Sequence, residues 1–176
     1  MIENGYLLDT NIFSMLARAK SGDTDPNCQS VLKKVVTIEQ TAQLFICAIT
    51  IGEVEYGLKL STKPNPIVHA DVRAIIASFP IVYSIDHNIA TDYYADIRAK
   101  VFTKYAPLGA RGKIKSKWPE ELTSPTDGKL LGIQENDLWI VAVAMAYNLT
   151  LVTADKMEHI QKAINIAEIT FENWSI

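Results

Sequence analysis

Sulfur, imidazole and positive charge are all in short supply in this sequence. Of its 176 residues only 2 are cysteine and 3 are histidine. Cys28 and Cys47 form no Cys-x-x-Cys pair, which leaves two free thiols, as expected of a protein kept in a reducing cytoplasm. His69, His87 and His159 are scattered, so neither a Ser/His/Asp arrangement nor a histidine general base is indicated. There is no GxxxxGK[ST] loop and no GxGxxG turn, which removes the usual signatures of nucleotide cradles. No apolar run approaches the roughly 20 residues of a membrane-spanning helix. Residues 1–5 carry no basic segment and lead straight into a short apolar strand, so no signal peptide is expected and the chain reads as soluble and cytoplasmic. Lys and Arg total 17 against 20 Asp and Glu, a formal net charge of −3, so no global basic field attracts polyanions. Nucleic acid would have to be held by a local basic strip or by metal-bridged phosphates.

What is present is an apolar fraction of 48%, enough for one domain with a full hydrophobic core. Short apolar runs alternate with helical patterns, which predicts an α/β fold around a mostly parallel sheet flanked by helices. Strands are expected over 6–9, 44–49, 81–85, 150–153 and 167–171. A helix follows Thr10. Another starts at Asp25-Pro26, with proline in the first turn. A third, capped by Thr50, runs to about Leu60, where Lys63-Pro64-Asn65-Pro66 breaks the chain. Residues 67–78 form the next helix. Asp86 then caps a long helix in which Ile89, Tyr93, Ile97 and Val101 recur every fourth residue. Leu138, Val141, Ala142 and Met145 mark the core face of a helix over 136–148, and 156–164 is the last helix. No repeat or low-complexity tract interrupts this single domain, 1–176.

One segment breaks the rhythm. An insertion at about 106–132 is rich in Pro, Gly, Ser and Lys, and Arg111, Lys113, Lys115 and Lys117 follow one another with no acid between them, ending at Trp118. Such a loop is either a solvated, mobile insertion or a phosphate-gripping element with one aromatic to stack on a base.

Four acids stand beside the apolar runs: Asp9 after Tyr6-Leu7-Leu8, Glu53 one turn after 44–49, Asp137 opening its helix, and Asp155 after 149–153. Singly, each has a bland reading, since Asp9, Asp137 and Asp155 all stand where a carboxylate caps a helix N-terminus, and Glu53 fits a first turn. Together they say more. Ligands of open parallel sheets bind outside the carboxyl ends of the strands, the edge all four acids are able to reach. Crowded carboxylates repel one another, and a divalent, oxygen-preferring cation is the simplest compensation.

The stretches Leu7-Leu8-Asp9-Thr10-Asn11-Ile12, Ile49-Thr50-Ile51-Gly52-Glu53-Val54-Glu55-Tyr56-Gly57, Asn136-Asp137-Leu138-Trp139-Ile140-Val141-Ala142 and Leu151-Val152-Thr153-Ala154-Asp155 resemble, in order, the motifs of PIN-domain ribonucleases, and within them the VapC-type toxins of prokaryotic toxin–antitoxin pairs. The resemblance implies a PIN-like fold and a magnesium- or manganese-dependent endoribonuclease. Asp9, Glu53, Asp137 and Asp155 would be its catalytic, metal-binding quartet, with Asp9 and Asp137 as direct ligands. It also implies an antitoxin partner that lays a peptide across the acidic groove, and homodimerisation. Asn11 and Thr153 would either bond the acids or the phosphate or serve only as local caps, and Arg111, Lys113, Lys115 and Lys117 are candidate RNA contacts. The long basic insertion departs from the family pattern. Two other readings stand beside this one: a phosphatase of small phosphomonoesters, whose usual second acid is here Asn11, and a PIN-like binding module without activity.

Overall fold

The computed structural model describes residues 5–164 and 168–176. They gather into two compact units: the chain up to Ile85 with Asn148–Lys156 and Thr170–Ile176, and Asp86–Tyr147 with Met157–Ile169. Among the described residues no helix is long and apolar enough to cross a membrane.

The first unit holds the whole sheet. Its strands are β1 (Gly5–Leu8), β2 (Gln43–Cys47), β3 (Val82–Tyr83), β4 (Thr150–Val152) and β5 (Phe171–Glu172), in the order β3-β2-β1-β4-β5. Every neighbouring pair is parallel, with Leu7 in register with both Phe45 and Leu151. Leu7, Leu8, Phe45, Ile46, Leu151 and Val152 are fully buried, as unbroken apolar strands of a parallel sheet require. Gly5 is demanded by packing: a Cβ there would lie 2.5 Å from Leu149 and 2.9 Å from Phe45.

The chain builds outward from β1 to β2 and β3, then returns to add β4 on the other side of β1. That reversal opens a crevice at the carboxyl ends of β1 and β4, where ligands of such sheets are held.

Four helices belong to this unit. α1 (Thr10–Lys20) is capped by Asp9, and α2 (Pro26–Ile38) by Asp25, with Pro26 in its first turn. α3 (Ala48–Leu60) begins two residues before the expected Thr50. Thr50 is therefore a first-turn residue and not a cap; it is buried and donates its hydroxyl to the Leu8 carbonyl at 3.3 Å. α4 (Pro66–Ser78) is capped by Asn65. Ile12, Phe13 and Leu16 of α1 and Val31 and Val35 of α2 fill one core cluster with Leu8 and Ile46. The edge strand β3 is only two residues long against the five expected, and Val82 is exposed, since it has one neighbour to pair with. The last strand falls at 171–172, later than the expected 167–171, because Thr170 marks where pairing to Leu151 begins; Ala167 lies outside the described residues.

In the second unit, Asp86 caps as expected, accepting from Ile89 N at 2.9 Å. The first turns are π-helical, Ile89–Tyr94, before α5 (Ala95–Tyr105). α6 (Glu135–Ala146) buries Leu138, Ile140, Val141, Ala142, Val143 and Ala144, so it is apolar on every side and not only on the face its periodicity marks. α7 (Glu158–Ala163) starts later than expected because Met157 takes a left-handed conformation, φ 44°. The insertion is folded: antiparallel bridges join Leu108 to Ile114 and Thr123 to Leu130, and Pro119, Leu122 and Leu131 are buried.

Trp174 closes the first unit. It is 2% exposed, its ring tilts against Tyr6 at 5.3 Å, and its carbonyl accepts from Ser30 at 2.8 Å. Trp174→Ala is expected to cost about 3–5 kcal/mol in chemical denaturation. A loss under about 1 kcal/mol would show that the terminal segment does not carry the core.

Candidate active site

The end of β1 supplies the first acid. Asp9 continues the ladder through its N–H to the Val152 carbonyl at 2.9 Å, and its carboxylate then turns to cap α1. Oδ1 accepts from Thr10 N at 2.7 Å. Oδ2 accepts from the Thr153 hydroxyl at 2.7 Å and from Asn11 Nδ2 at 3.1 Å. Asp9 is 4% exposed and Thr153 is 2% exposed, so this carboxylate is held nearly without water.

The end of β4 supplies the second acid. Asp155 is exposed; its N–H donates to Thr153 Oγ1 at 3.1 Å and its Oδ2 accepts from Asn11 Nδ2 at 2.9 Å. The Asn11 amide thus spans Asp9 and Asp155, while its Oδ1 accepts from Ala154 N at 3.0 Å. Glu53, in the second turn of α3, accepts from the Thr10 hydroxyl. Three chain segments far apart in sequence converge on the switch-point crevice.

Burial is the largest influence on Asp9 and drives its pKa up to about 6. Hydrogen bonds from Thr153 and Thr10 pull the other way, and the negative charges of Glu53 and Asp155 add to the rise. Neutral amides and hydroxyls therefore fail to compensate the crowded charge in full, as expected of like-charged groups in low dielectric.

Asp137 lies in the second unit. It is the third residue of α6 and not its cap; its Oδ2 accepts from Gln134 N at 2.9 Å while its own N–H donates to the Gln134 carbonyl. Two residues before it, at the first position of α6, stands Glu135, an acid outside the quartet expected from sequence. Burial raises its pKa, Tyr94 donates a hydroxyl hydrogen bond to it, and Arg98 pairs with it at 3.5 Å. Tyr94 in turn stacks flat on Trp139 at 3.5 Å. The signal that was available is Glu135 opening the helix of Asp137. Arg111, Lys113, Lys115 and Lys117 are all exposed on the insertion. Of the histidines, His69 lies on α4, His87 is exposed beside Asp86, and His159 packs edge-on against Tyr105.

The oxygens gathered here belong to carboxylates and hydroxyls, the ligand type that hard cations prefer. Among the described residues, no three acids, histidines or cysteines are gathered tightly enough to hold a metal alone. The first-unit residues that could contribute oxygens to a divalent cation are Asp9 and Asp155, flanked by Glu53.

Because the folded pKa of Asp9 lies above its ordinary value of 3.8, the folded state takes up a proton as pH falls through about 6, and the penalty vanishes by about 4. In chelator, the wild type is expected to gain about 1 kcal/mol over Asp9→Asn between pH 7 and pH 5. Parallel stability curves for the two proteins would rule out a desolvated carboxylate at residue 9.

The PIN domain family profile matches residues 6–164. No curated protein matches the sequence. Among solved structures, VapBC2 from Rickettsia felis bound to a DNA fragment from its promoter is 22% identical with a TM-score of 0.64, covering 97% of this chain and 99% of that one. FitAB bound to an IR36 DNA fragment is 22% identical with a TM-score of 0.65, covering 97% and 96%. DNA-bound VapBC from Salmonella typhimurium is 21% identical with a TM-score of 0.63, covering 97% and 98%. At these identities the likeness is one of fold. The profile match, by contrast, spans nearly the whole chain and includes the β1, β4 and α3 segments that build the acidic crevice: the chain belongs to the PIN domain family.

Proposed function

We propose that this protein is a magnesium-dependent endoribonuclease that acts as the toxin of a toxin–antitoxin pair. PIN domains are generally nucleases, and the observation that carries the reading is the desolvated Asp9 carboxylate, linked through Asn11 to Asp155 and crowded by Glu53. In this reading Asp9 and Asp155 of the first unit would hold the ion, with Glu53 beside it; the role of Asp137 as a direct ligand rests on the family likeness alone, and Mn²⁺ is an alternative ion. A bound divalent cation would polarise the phosphoryl oxygen and lower the pKa of an attacking water.

The chain's own residues prepare that chemistry. Thr10 N and the Thr153 hydroxyl fix both oxygens of Asp9, so the carboxylate does not rotate away when charge arrives. Thr10 Oγ1 aims Glu53 by its hydrogen bond. The Asn11 amide holds Asp9 and Asp155 at one spacing and has no titratable proton to give a leaving group. That last point favours a nuclease over the phosphatase reading, in which this position serves as an acid. RNA as the substrate, and unpaired loops as its target, rest on the family likeness.

The fold neighbours are VapBC and FitAB assemblies, which supports an antitoxin as partner. A groove of about 310 Å³ on the first unit, with Phe13, Ala17, Val54, Leu58 and Val72 in its walls, includes Thr10 and Glu53. It suits an apolar peptide ending in a basic side chain. Tyr56, Leu60 and Ile67 of α3 and α4 are 65%, 64% and 73% exposed, an apolar surface that supports a homodimer.

Asp9→Ala and Asp155→Ala are each expected to lower cleavage of single-stranded RNA by at least about 100-fold, to relieve growth arrest on expression, and to keep the wild-type circular dichroism. Chelator should abolish cleavage and magnesium restore it. Undiminished cleavage in both folded variants would refute the assignment, and release of phosphate from small monoesters instead of RNA scission would favour the phosphatase.

A further inference from the structure

We infer that residues 107–121 form an arm for single-stranded nucleic acid, with Arg111, Lys113, Lys115 and Lys117 on the phosphates and Trp118 stacking an unpaired base, mounted on the helix end that carries Asp137. The inference rests on the nuclease reading and names how that enzyme holds its substrate.

The arm is built and not a slack loop. Leu108 and Ile114 pair antiparallel, Gly109 N donates to the Lys113 carbonyl at 2.7 Å, and Lys115 N donates to Pro107 at 3.3 Å. The tip turns on two successive left-handed residues, Arg111 at φ 70° and Gly112 at φ 69°, which puts a cation at the apex. Beyond the tip the chain is extended at Lys113 and again at Trp118. Lys113, Lys115 and Lys117 alternate with Ile114 and Ser116, a ladder of cations at every second residue that share a side wherever the chain is extended. All three are exposed, and among the described residues no carboxylate forms an ion pair with them or with Arg111.

Trp118 is 55% exposed although its neighbour Pro119 and nearby Leu122 are buried. A large aromatic left in solvent after four cations without ion pairs, with Glu120 and Glu121 beyond it spent on backbone N–H groups, matches the recipe for single-strand binding, in which a basic track follows the backbone and a ring takes a base. Apolar exposure at Leu108, Ile114 and Leu130 would suit a protein surface, but four cations without an acid across 111–117 favour a polyanion, and more so in a chain of net charge −3.

The base of the arm is fastened to α6. Glu120 Oε1 accepts from Glu135 N at 2.8 Å, satisfying a donor at the helix start. Arg98 donates to the Lys117 carbonyl at 2.6 Å while it pairs with Glu135 at 3.5 Å. Glu121 Oε2 accepts from Lys117 N at 3.0 Å. Lys117, Trp118 and the first turn of α6, where Asp137 accepts from Gln134 N, therefore share one mount. A strand gripped by the ladder is held in register with that turn.

The test is fluorescence anisotropy of a labelled, unstructured 20-nucleotide RNA with the full-length protein in chelator, where nothing is cut, across a salt series. Trp118→Ala should weaken binding by about 10-fold, within the range a lost base stack spans, and Trp118→Phe should restore most of it. Lys113→Gln, Lys115→Gln and Lys117→Gln combined should flatten the log–log salt slope by about 2, and Lys115→Gln alone by about 0.7. The same RNA annealed into a duplex should bind more weakly. Wild-type affinity in the Trp118→Ala and Lys variants, or no RNA binding by the wild type, would overturn the arm. So would unchanged RNA affinity with a changed oligomeric mass, which would mark a protein interface. Cleavage in magnesium is scored separately: binding through the arm with no cleavage would sink the nuclease reading and leave the arm standing.

Discussion

A carboxylate shut away from water at the end of the central strand is the constraint around which this molecule is arranged. Asp9 caps α1, continues the β1–β4 ladder through its N–H, and receives hydrogen bonds from Thr10, Asn11 and Thr153. These three donors do not offset the loss of solvent and the nearby charges of Glu53 and Asp155.

The parallel sheet makes the arrangement reachable. Because β4 is laid beside β1 on the side opposite β2, the chain leaves β1 and β4 at adjacent points. Residues 9–11 and 153–155 are thereby brought within hydrogen-bonding range across more than 140 positions of sequence. α3 begins where β2 stops, so its second turn carries Glu53 to the Thr10 hydroxyl. Thr50 ties that helix to the Leu8 carbonyl, fixing its height against the end of β1. Rigidity here would serve the proposed nuclease chemistry: oxygens that were to receive a cation and a phosphate would be worth more already assembled.

Much of the architecture was legible from patterning. Apolar runs at 6–8 and 44–49 told of strands, the second covered on both faces, and Asp25-Pro26 and Asp86 marked helix starts through their own side-chain chemistry, whereas Asn65-Pro66, legible only as a chain break, proved to cap α4. Boundaries failed where two local signals competed. Thr50 resembles a cap, yet Cys47 is already the last extended residue and the hydroxyl is spent on β1. The helix at 156 starts late because Met157 is left-handed, a choice no propensity for methionine foretells. α6 hides its neighbours' demands in the same way: its apolar residues exceed one face because the helix is enclosed on all sides.

By itself the sequence determined the alternation of strands and helices, the acids that close the strands, and the cation-rich run before Trp118, since these follow from residue type and short-range spacing. Tertiary structure alone decided that Asn11 would bridge Asp9 and Asp155, that Thr10 would take Glu53, and that Glu120 would cap the helix of Asp137. The physical reason is that desolvation and hydrogen-bond partnership are properties of surroundings supplied by distant segments. The same aspartate is an ordinary cap with a low pKa in water and a carboxyl raised to about 6 when β4 and α3 close over it.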